Sequence, residues 1–335
     1  MSTLYAGIDL GGTKIACGLA TADGKIVADR AVATGSHEGP DAVIQRIADL
    51  VNALANETET RPAAVGIGVP GLADVGRGMT KFLPNMPTQW RDVPVRELLS
   101  PKVGCAVHLL NDARAATLGE LVFGHGRGVK DMIFYTLGTG IGGGVVIDGK
   151  LRLGPLGAAG ELGHVTILPD GPLCGCGSRG CLETLASGPA LTGEGVRLLR
   201  SGQAPILYER IGGDISRVTP KAMAEAASAG DKAIHEAIRR VGYYLGLGVA
   251  NVISTLHPEL VVFGGGVAEM GSVLIDVVRE TACKHVGMFP ATAIRFEQSE
   301  LRERAGIMGG VAAAMQAGLP VAAGSIHQAN QTNKS

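Results

Sequence analysis

The sequence predicts an α/β protein of two lobes, on three observations. The chain has 335 residues, longer than one typical domain. Glycine supplies 51 of them, against 46% hydrophobic and only 4% aromatic residues. That is about twice the usual glycine share of roughly 7%, and it suits glycine-rich turns at the ends of aliphatic strands. Third, a strand–turn–strand arrangement around Gly11-Gly12 recurs around Gly138 to Gly144. This reads as two related halves, each opening with a β-hairpin, and not as a tandem solenoid.

The elements follow in order. Tyr5 to Leu10 is a short apolar strand, Gly11-Gly12-Thr13-Lys14 a turn, and Ile15 to Ala20 a returning strand. Asp23-Gly24 signals a hairpin into Lys25 to Ala33. Asp41 to Asn56 carries helical spacing at Val43, Ile44, Ile47, Leu50, Val51 and Leu54. Ala64 to Val69 is a buried strand, followed by a loop with Pro84, Asn85, Pro87 and Trp90. Ala106 to Leu110 is a strand, and Ala113 to Phe123 a helix. Asp131 to Leu137 and Gly143 to Ile147 form the second hairpin, and Asp148-Gly149 turns the chain again. Thr219 to Ile253 is mostly helical, with Asp231 as a cap. Leu260 to Phe263 is a strand leading into Gly264-Gly265-Gly266 and a helix. Gly306 to Gln316 is the final, alanine-rich helix, and the polar residues from Val321 fray.

Composition excludes several classes. A formal net charge of −1 gives no support for a nucleic-acid partner. The N-terminus has no basic segment followed by an apolar stretch, so no signal peptide is expected. Val241 to Pro258, the longest uncharged stretch, contains Gly, Asn, Ser and a His-Pro break. It reads as a buried helix entering a strand and not as a membrane span. A chain of this length buries a core without disulfides, and the expected setting is the reducing cytoplasm, where clustered cysteines more often bind metal than pair.

Three of the six cysteines, Cys174, Cys176 and Cys181, fall within eight positions, and His164 stands upstream. Three thiolates and an imidazole complete the ligand set of a closed, structural zinc site. Gly175, Gly177 and Gly180 allow the tight turns such a loop needs. Buried unpaired cysteines are the plainer alternative, and a Cys174–Cys176 bridge closes too short a loop for disulfide geometry. Glu161 and Glu183 flank the ligands, so a metal would fix polar groups where a ligand meets them.

Asp9-Leu10-Gly11-Gly12-Thr13-Lys14 has the makings of a phosphate loop, with backbone N–H groups open to phosphate and a hydroxyl from Thr13. It has neither Walker nor G-x-G-x-x-G spacing, and taken alone it is equally an ordinary hairpin turn. Leu137 to Gly144 and Gly264 to Gly266 are two more such turns, each after an apolar strand. Three together point to a nucleotide in a cleft between lobes. Asp112 closes the strand Ala106 to Leu110 and opens a helix. Its plain reading is a helix N-cap; beside a phosphate donor it is the best-placed carboxylate to take an acceptor hydroxyl's proton.

In this order, Asp9 to Lys14, Leu110 to Asp112, Leu137 to Gly144, Glu161 to His164 and Cys174 to Glu183 resemble the motifs of ROK-family sugar kinases, over about Leu4 to Gly318. The resemblance implies a two-lobed, actin-like ATPase (ribonuclease H-like) fold with a central nucleotide and sugar cleft and a zinc-stapled loop. Residues 1–112 plus 304–318 would form the small lobe, 113–303 the large lobe, and 319–335 a polar tail. It implies that Asp112 is the catalytic base toward the sugar 6-hydroxyl, glucose first among sugars. Asn85, Asn111, Asp112, Glu161, His164 and Glu183 would bind the sugar. Asp9, Gly11, Gly12, Thr13 and Lys14, with Gly138, Thr139, Gly140 and Gly142, would hold ATP phosphates and Mg²⁺. Gly265 and Gly266 would lie near the adenosine, and His164, Cys174, Cys176 and Cys181 would bind structural Zn²⁺. A homo-dimer or homo-tetramer is implied, with neither nucleic-acid nor membrane partners.

Two positions depart from the family pattern. Arg114 stands where a small or amide residue is usual, its charge either beside the acceptor or toward solvent. The segment Pro84 to Trp90 has one extra residue before the tryptophan. N-acetylglucosamine or N-acetylmannosamine kinase and fructokinase are the alternatives among kinases. ROK relatives also include sugar-responsive repressors with an N-terminal winged helix-turn-helix; a phosphate loop beginning at Asp9 leaves no room for one. A sugar sensor without turnover is a further alternative.

Overall fold

The computed structural model describes residues 2–84, 86–317 and 319. Asn85 and, apart from Leu319, the expected polar tail lie outside the described residues. The first half runs β1 (Leu4–Leu10), β2 (Lys14–Thr21), β3 (Ile26–Ala33), α1 (Pro40–Glu57), β4 (Ala64–Val69), the small hairpin β5 (Leu72–Asp74) and β6 (Met79–Phe82), α2 (Val95–Val103), β7 (Ala106–Asn111) and α3 (Asp112–Phe123). The second runs β8 (Met132–Leu137), β9 (Ile141–Ile147), β10 (Lys150–Leu151), α4 (Leu182–Ala186), α5 (Gly188–Arg200), α6 (Pro205–Ile211), α7 (Pro220–Ser228), α8 (Lys232–Leu256), β11 (Leu260–Gly264), α9 (Ser272–His285), β12 (Arg295–Gln298) and α10 (Ala305–Ala314).

The two halves build the same sheet. The first has strand order β3-β2-β1-β4-β7 and the second β10-β9-β8-β11-β12. In each, the opening hairpin pairs antiparallel and the inner strands pair parallel. All six residues of β4 and all five of β11 are buried, as parallel strands covered on both faces require. The edge strand β3 is mostly open to solvent instead. Helix α1 begins on Pro40, whose fixed φ suits the first turn, and buries the stripe Val43, Ile44, Ile47, Leu50, Val51 and Leu54. The turn at Asp148-Gly149 has both residues at positive φ, 52° and 71°, the primed geometry that a tight hairpin needs.

Three apolar cores result. One lies under the first sheet with α1 and α2, and a second packs α4 to α9 on the second sheet. A third joins α3 and α10 to Leu110, Met132, Phe134, Leu260 and Val262, so it bridges both sheets. Helix α10 sits so close that backbone meets backbone. A Cβ at Gly7 would lie 1.9 Å from the Ile307 carbonyl oxygen, one at Gly66 2.0 Å from that of Gly310, and one at Gly309 1.9 Å from that of Ala115.

The span from Thr219, expected to be mostly helical with Asp231 as a cap, is two helices, α7 and α8, divided at Gly230 (φ 99°). Asp231 caps α8 by accepting the Ile234 N–H at 3.3 Å, and it also accepts the Leu207 N–H at 3.1 Å. Among the described residues no helix is long and apolar enough to cross a membrane. The stretch from Val241 is the second half of α8, ended by His257 in the left-handed region.

Candidate active site

Strand β7 and helix α3 meet at Asn111-Asp112. Asn111 is the N-cap, its Oδ1 accepting the Arg114 N–H at 3.2 Å, and Asp112 is the first helical residue. The cap therefore falls one position before the plain reading of Asp112. Asp112 Oδ1 accepts the Ala113 N–H at 2.7 Å and Asn111 Nδ2 at 2.8 Å. Burial pushes the Asp112 carboxyl up to about 6; the Ala113 N–H opposes the rise and the charge of Asp9 adds to it. Burial also raises Asp9, at the end of β1, against the pull of Lys14. Two carboxylates that sense each other, one at the end of β1 and one at the start of α3, are a donor set suited to a hard divalent cation.

The first glycine turn is closed by the Gly11 N–H on Lys14 O at 2.9 Å. Buried Thr34 braces it, donating Oγ1 to Gly11 O at 2.7 Å and its N–H to Thr13 O at 2.9 Å. Thr13 and Lys14 are exposed. The second turn, with Thr139 exposed, packs on the start of α3: a Cβ at Gly142 would lie 2.8 Å from Ala113 Cβ. The third adjoins the second, for a Cβ at Gly265 would lie 2.5 Å from Leu137 O. Gly266 opens onto a cavity of about 790 Å³ shared with Lys221, Glu225, Glu269, Met270 and Arg302.

Glu183 joins the second turn to the cysteine block. Its Oε2 accepts the Ile141 N–H at 2.8 Å, and its Oε1 lies 4.0 Å from Cys174 Sγ. Within the block, Cys176 Sγ and Cys181 Sγ are 3.7 Å apart, and Cys174 Sγ lies 3.6 Å from His164 Nδ1. A tetrahedral zinc, with Zn–S ~2.3 Å and Zn–N ~2.0 Å, sets these edges at about 3.8 and 3.5 Å. All four donor atoms lie within 4.8 Å of one another. The donors fit zinc in type, number and spacing. His164 Nδ1 faces the sulfurs, while Nε2 lies 3.8 Å from Glu161 Oε2.

Arg114 links this block to the base. Its side chain is 1% exposed. Nε donates to Ala159 O at 2.9 Å, Nη1 to Asn111 Oδ1 at 3.0 Å, and Nη2 to Ala158 O at 3.0 Å and Glu161 Oε1 at 2.7 Å. The charge therefore points inward, on the Glu161 side. Asn111 uses all its polar capacity within the protein, its remaining N–H reaching Gly71 O at 3.0 Å. A sugar hydroxyl at Asn111 would displace one of these bonds. Sequence reasoning missed Thr34, and it missed Glu120, whose buried carboxylate accepts Ser299 Oγ at 2.7 Å and the Glu300 N–H at 3.0 Å. Glu120 thus ties the far end of α3 to the segment beside the cavity.

Two sheets of like topology, glycine turns at their strand ends and a half-buried carboxylate on the helix between them make up the architecture of two-lobed sugar kinases. The chain belongs to the ROK family, whose profile matches residues 5–317. A glucokinase of Thermotoga maritima is 39% identical over 309 residues, covering 90% of this chain and 94% of that one. The crystal structure of a ROK family glucokinase from Streptomyces griseus, in complex with glucose and AMPPNP, superposes with a TM-score of 0.82 at 35% identity, covering 93% of this chain and 99% of that chain. A xylose repressor of Caldicellulosiruptor bescii is 31% identical over 311 residues, covering 91% of this chain and 76% of the repressor.

Proposed function

We propose that this hexose kinase transfers the γ-phosphoryl group of ATP to the 6-hydroxyl of glucose, with Asp112 as general base. The observation that carries the reading is the position of Asp112, between the second glycine turn, through Ala113 and Gly142, and the chain Asn111–Arg114–Glu161–His164. Asp112 Oδ1 is occupied by two N–H groups, and Oδ2 takes the proton from the sugar hydroxyl. The hydroxyl oxygen bonds to the γ-phosphorus as the bridging P–O bond to ADP breaks. A carboxyl near 6 is ionised before the step at neutral pH and returns its proton to water afterwards.

The glycine turns at Gly11 and Gly138 to Gly142 receive the phosphates through backbone N–H groups, and Gly265-Gly266 and the adjoining cavity take the adenosine. Asp9 would help to hold Mg²⁺, which when bound supplies positive charge against the nucleotide's phosphates. Glu161, His164, Glu183 and Asn111 grip sugar hydroxyls, and Asn85, outside the described residues, is assigned to the same task by the family resemblance alone. His164, Cys174, Cys176 and Cys181 would hold zinc, which when bound would fix that loop in shape. The names of the Thermotoga and Streptomyces relatives support glucose, and the AMPPNP complex of the latter supports ATP. A homo-oligomer, dimer or tetramer, belongs to the same reading, and light scattering measures it.

Hexoses and N-acetylhexosamines assayed with ATP test the proposal. Glucose should give the highest kcat/KM. A preference for fructose or an N-acetylhexosamine would reassign the sugar, and no transfer to any of them would remove the kinase reading. The repressor relative supplies the second reading. Sequence-specific DNA binding at physiological salt, without turnover, would install it.

A further inference from the structure

We infer that Arg114 is a positioning residue of the acceptor site, one buried guanidinium that holds the Glu161 carboxylate and the start of the base-bearing helix in fixed register. The inference rests on the kinase reading above and deepens it. Four donor contacts run from this one group. One goes to the N-cap Asn111, two to the consecutive carbonyls of Ala158 and Ala159, and one to Glu161 Oε1. They join two segments 45 or so residues apart that line different parts of the proposed sugar site: α3, which presents Asp112, and the strip that leads into His164.

The asymmetry of the ion pair is informative. Arg114 is 1% exposed and Glu161 46%. A guanidinium buried that fully stays charged, so it needs its carboxylate partner more than the half-exposed carboxylate needs it. Glu161 is consequently held on one oxygen, Oε1, by Arg114 Nη2. Oε2, 3.8 Å from His164 Nε2, remains for a substrate hydroxyl. A short or amide side chain at 114 would hold neither the two carbonyls nor Glu161. In this chain the geometry of sugar binding depends on a charged strut within the protein.

A purely structural guanidinium would show itself in stability alone, so the test reads binding separately. Glucose and ATP kinetics are measured for Arg114→Met, Arg114→Lys, Glu161→Gln and the Arg114→Met/Glu161→Gln double variant, with thermal unfolding of each. Arg114→Met should raise the sugar KM by about tenfold or more and leave the ATP KM within about twofold. Arg114→Lys should recover part of the loss. The double variant should be no worse than the poorer single one, as coupled residues require. Additive effects, or a lower melting temperature with an unchanged sugar KM, would overturn the inference.

Should Arg114→Met fail to fold, Arg114→Lys and Glu161→Gln carry the same KM comparison, and equal ATP and sugar effects would overturn it. Hydrogen exchange gives a readout independent of turnover. The amides of Leu162 and His164 bond to Gly160 O and Glu161 O, and substitution at Arg114 should speed their exchange by about tenfold with β4 unchanged. Unaltered exchange there would overturn the inference. A wild-type protein inactive on every hexose would overturn the kinase reading instead.

Discussion

Replacing Asp112 with asparagine should make the protein more stable while removing its activity. The carboxyl rises from its usual 3.8 to about 6 because it is buried beside Asp9. At ~1.4 kcal/mol per tenfold change, ionising it in the folded state at neutral pH costs up to about 3 kcal/mol. Part of the side chain still faces the cleft, and solvent there lowers the figure to about 1–3 kcal/mol. Asparagine keeps an oxygen for the Ala113 N–H and Asn111 Nδ2 and carries no charge. The sign follows from the folded value lying above the unfolded one, ~3.9. Wild type holds its full stability at this site below about pH 4, loses it between about 4 and 6, and stays at the lower level above. The variant's advantage is therefore absent at pH 4, grows through pH 5 and is complete by pH 7. In melting temperature it amounts to about 2–4 °C for a chain of this length. Nucleotide-free wild type and Asp112→Asn, unfolded thermally at pH 4, 5 and 7.5, supply the comparison, with ADP release measured alongside. An advantage that is missing at pH 7.5, or that is the same at all three values, would refute the buried-charge argument. Undiminished turnover would remove Asp112 as the base.

Three further outcomes are expected. The kcat of wild type should rise about tenfold per pH unit below about pH 6 and level off above it, as a base must lose its proton before it can act; a flat profile from pH 5 to 8 would contradict this. Elemental analysis should find one zinc per chain, and Cys176→Ser should lose it, lower the melting temperature by about 5 °C or more, and weaken sugar binding more than ATP binding; full stability in verified zinc-free protein would exclude a structural metal. In Gly140→Ala the new Cβ would fall 2.3 Å from Glu183 Oε2 and push that carboxylate off the Ile141 N–H. Losing such a charge-assisted bond should raise the ATP KM by about tenfold, and an unchanged value would detach Glu183 from the phosphate turn.

The doubled hairpin is legible in the sequence because each glycine turn sits between apolar strands, and turn chemistry is local. So is the zinc block, whose donors, apart from His164, fall within eight positions. What is hidden depends on distance along the chain. Arg114 reads equally as inward or outward, since three of its four side-chain contacts go to residues 44 to 47 positions away. Thr34 braces a turn 23 residues upstream, and Glu120 meets Ser299 across 179; no local pattern marks either. Short elements escape for another reason. β5 and β12, of three and four residues, are too brief to show a period. The cap of α3 is a case of register, because Asn111 and Asp112 are both good caps and only the backbone decides between them.

The seam where α10 meets β1, β4 and α3 has a consequence for how this protein can change. Main-chain oxygens there occupy the volume that any Cβ at Gly7, Gly66 or Gly309 would need. A larger residue cannot be accommodated by turning a side chain aside, so the helix itself would have to lift from both neighbours. In a saturation library these positions should be nearly silent to selection for new sugars, eliminated at the level of soluble expression. Variation that survives to be judged on catalysis should collect at the rim of the cleft, where flexible side chains can make way.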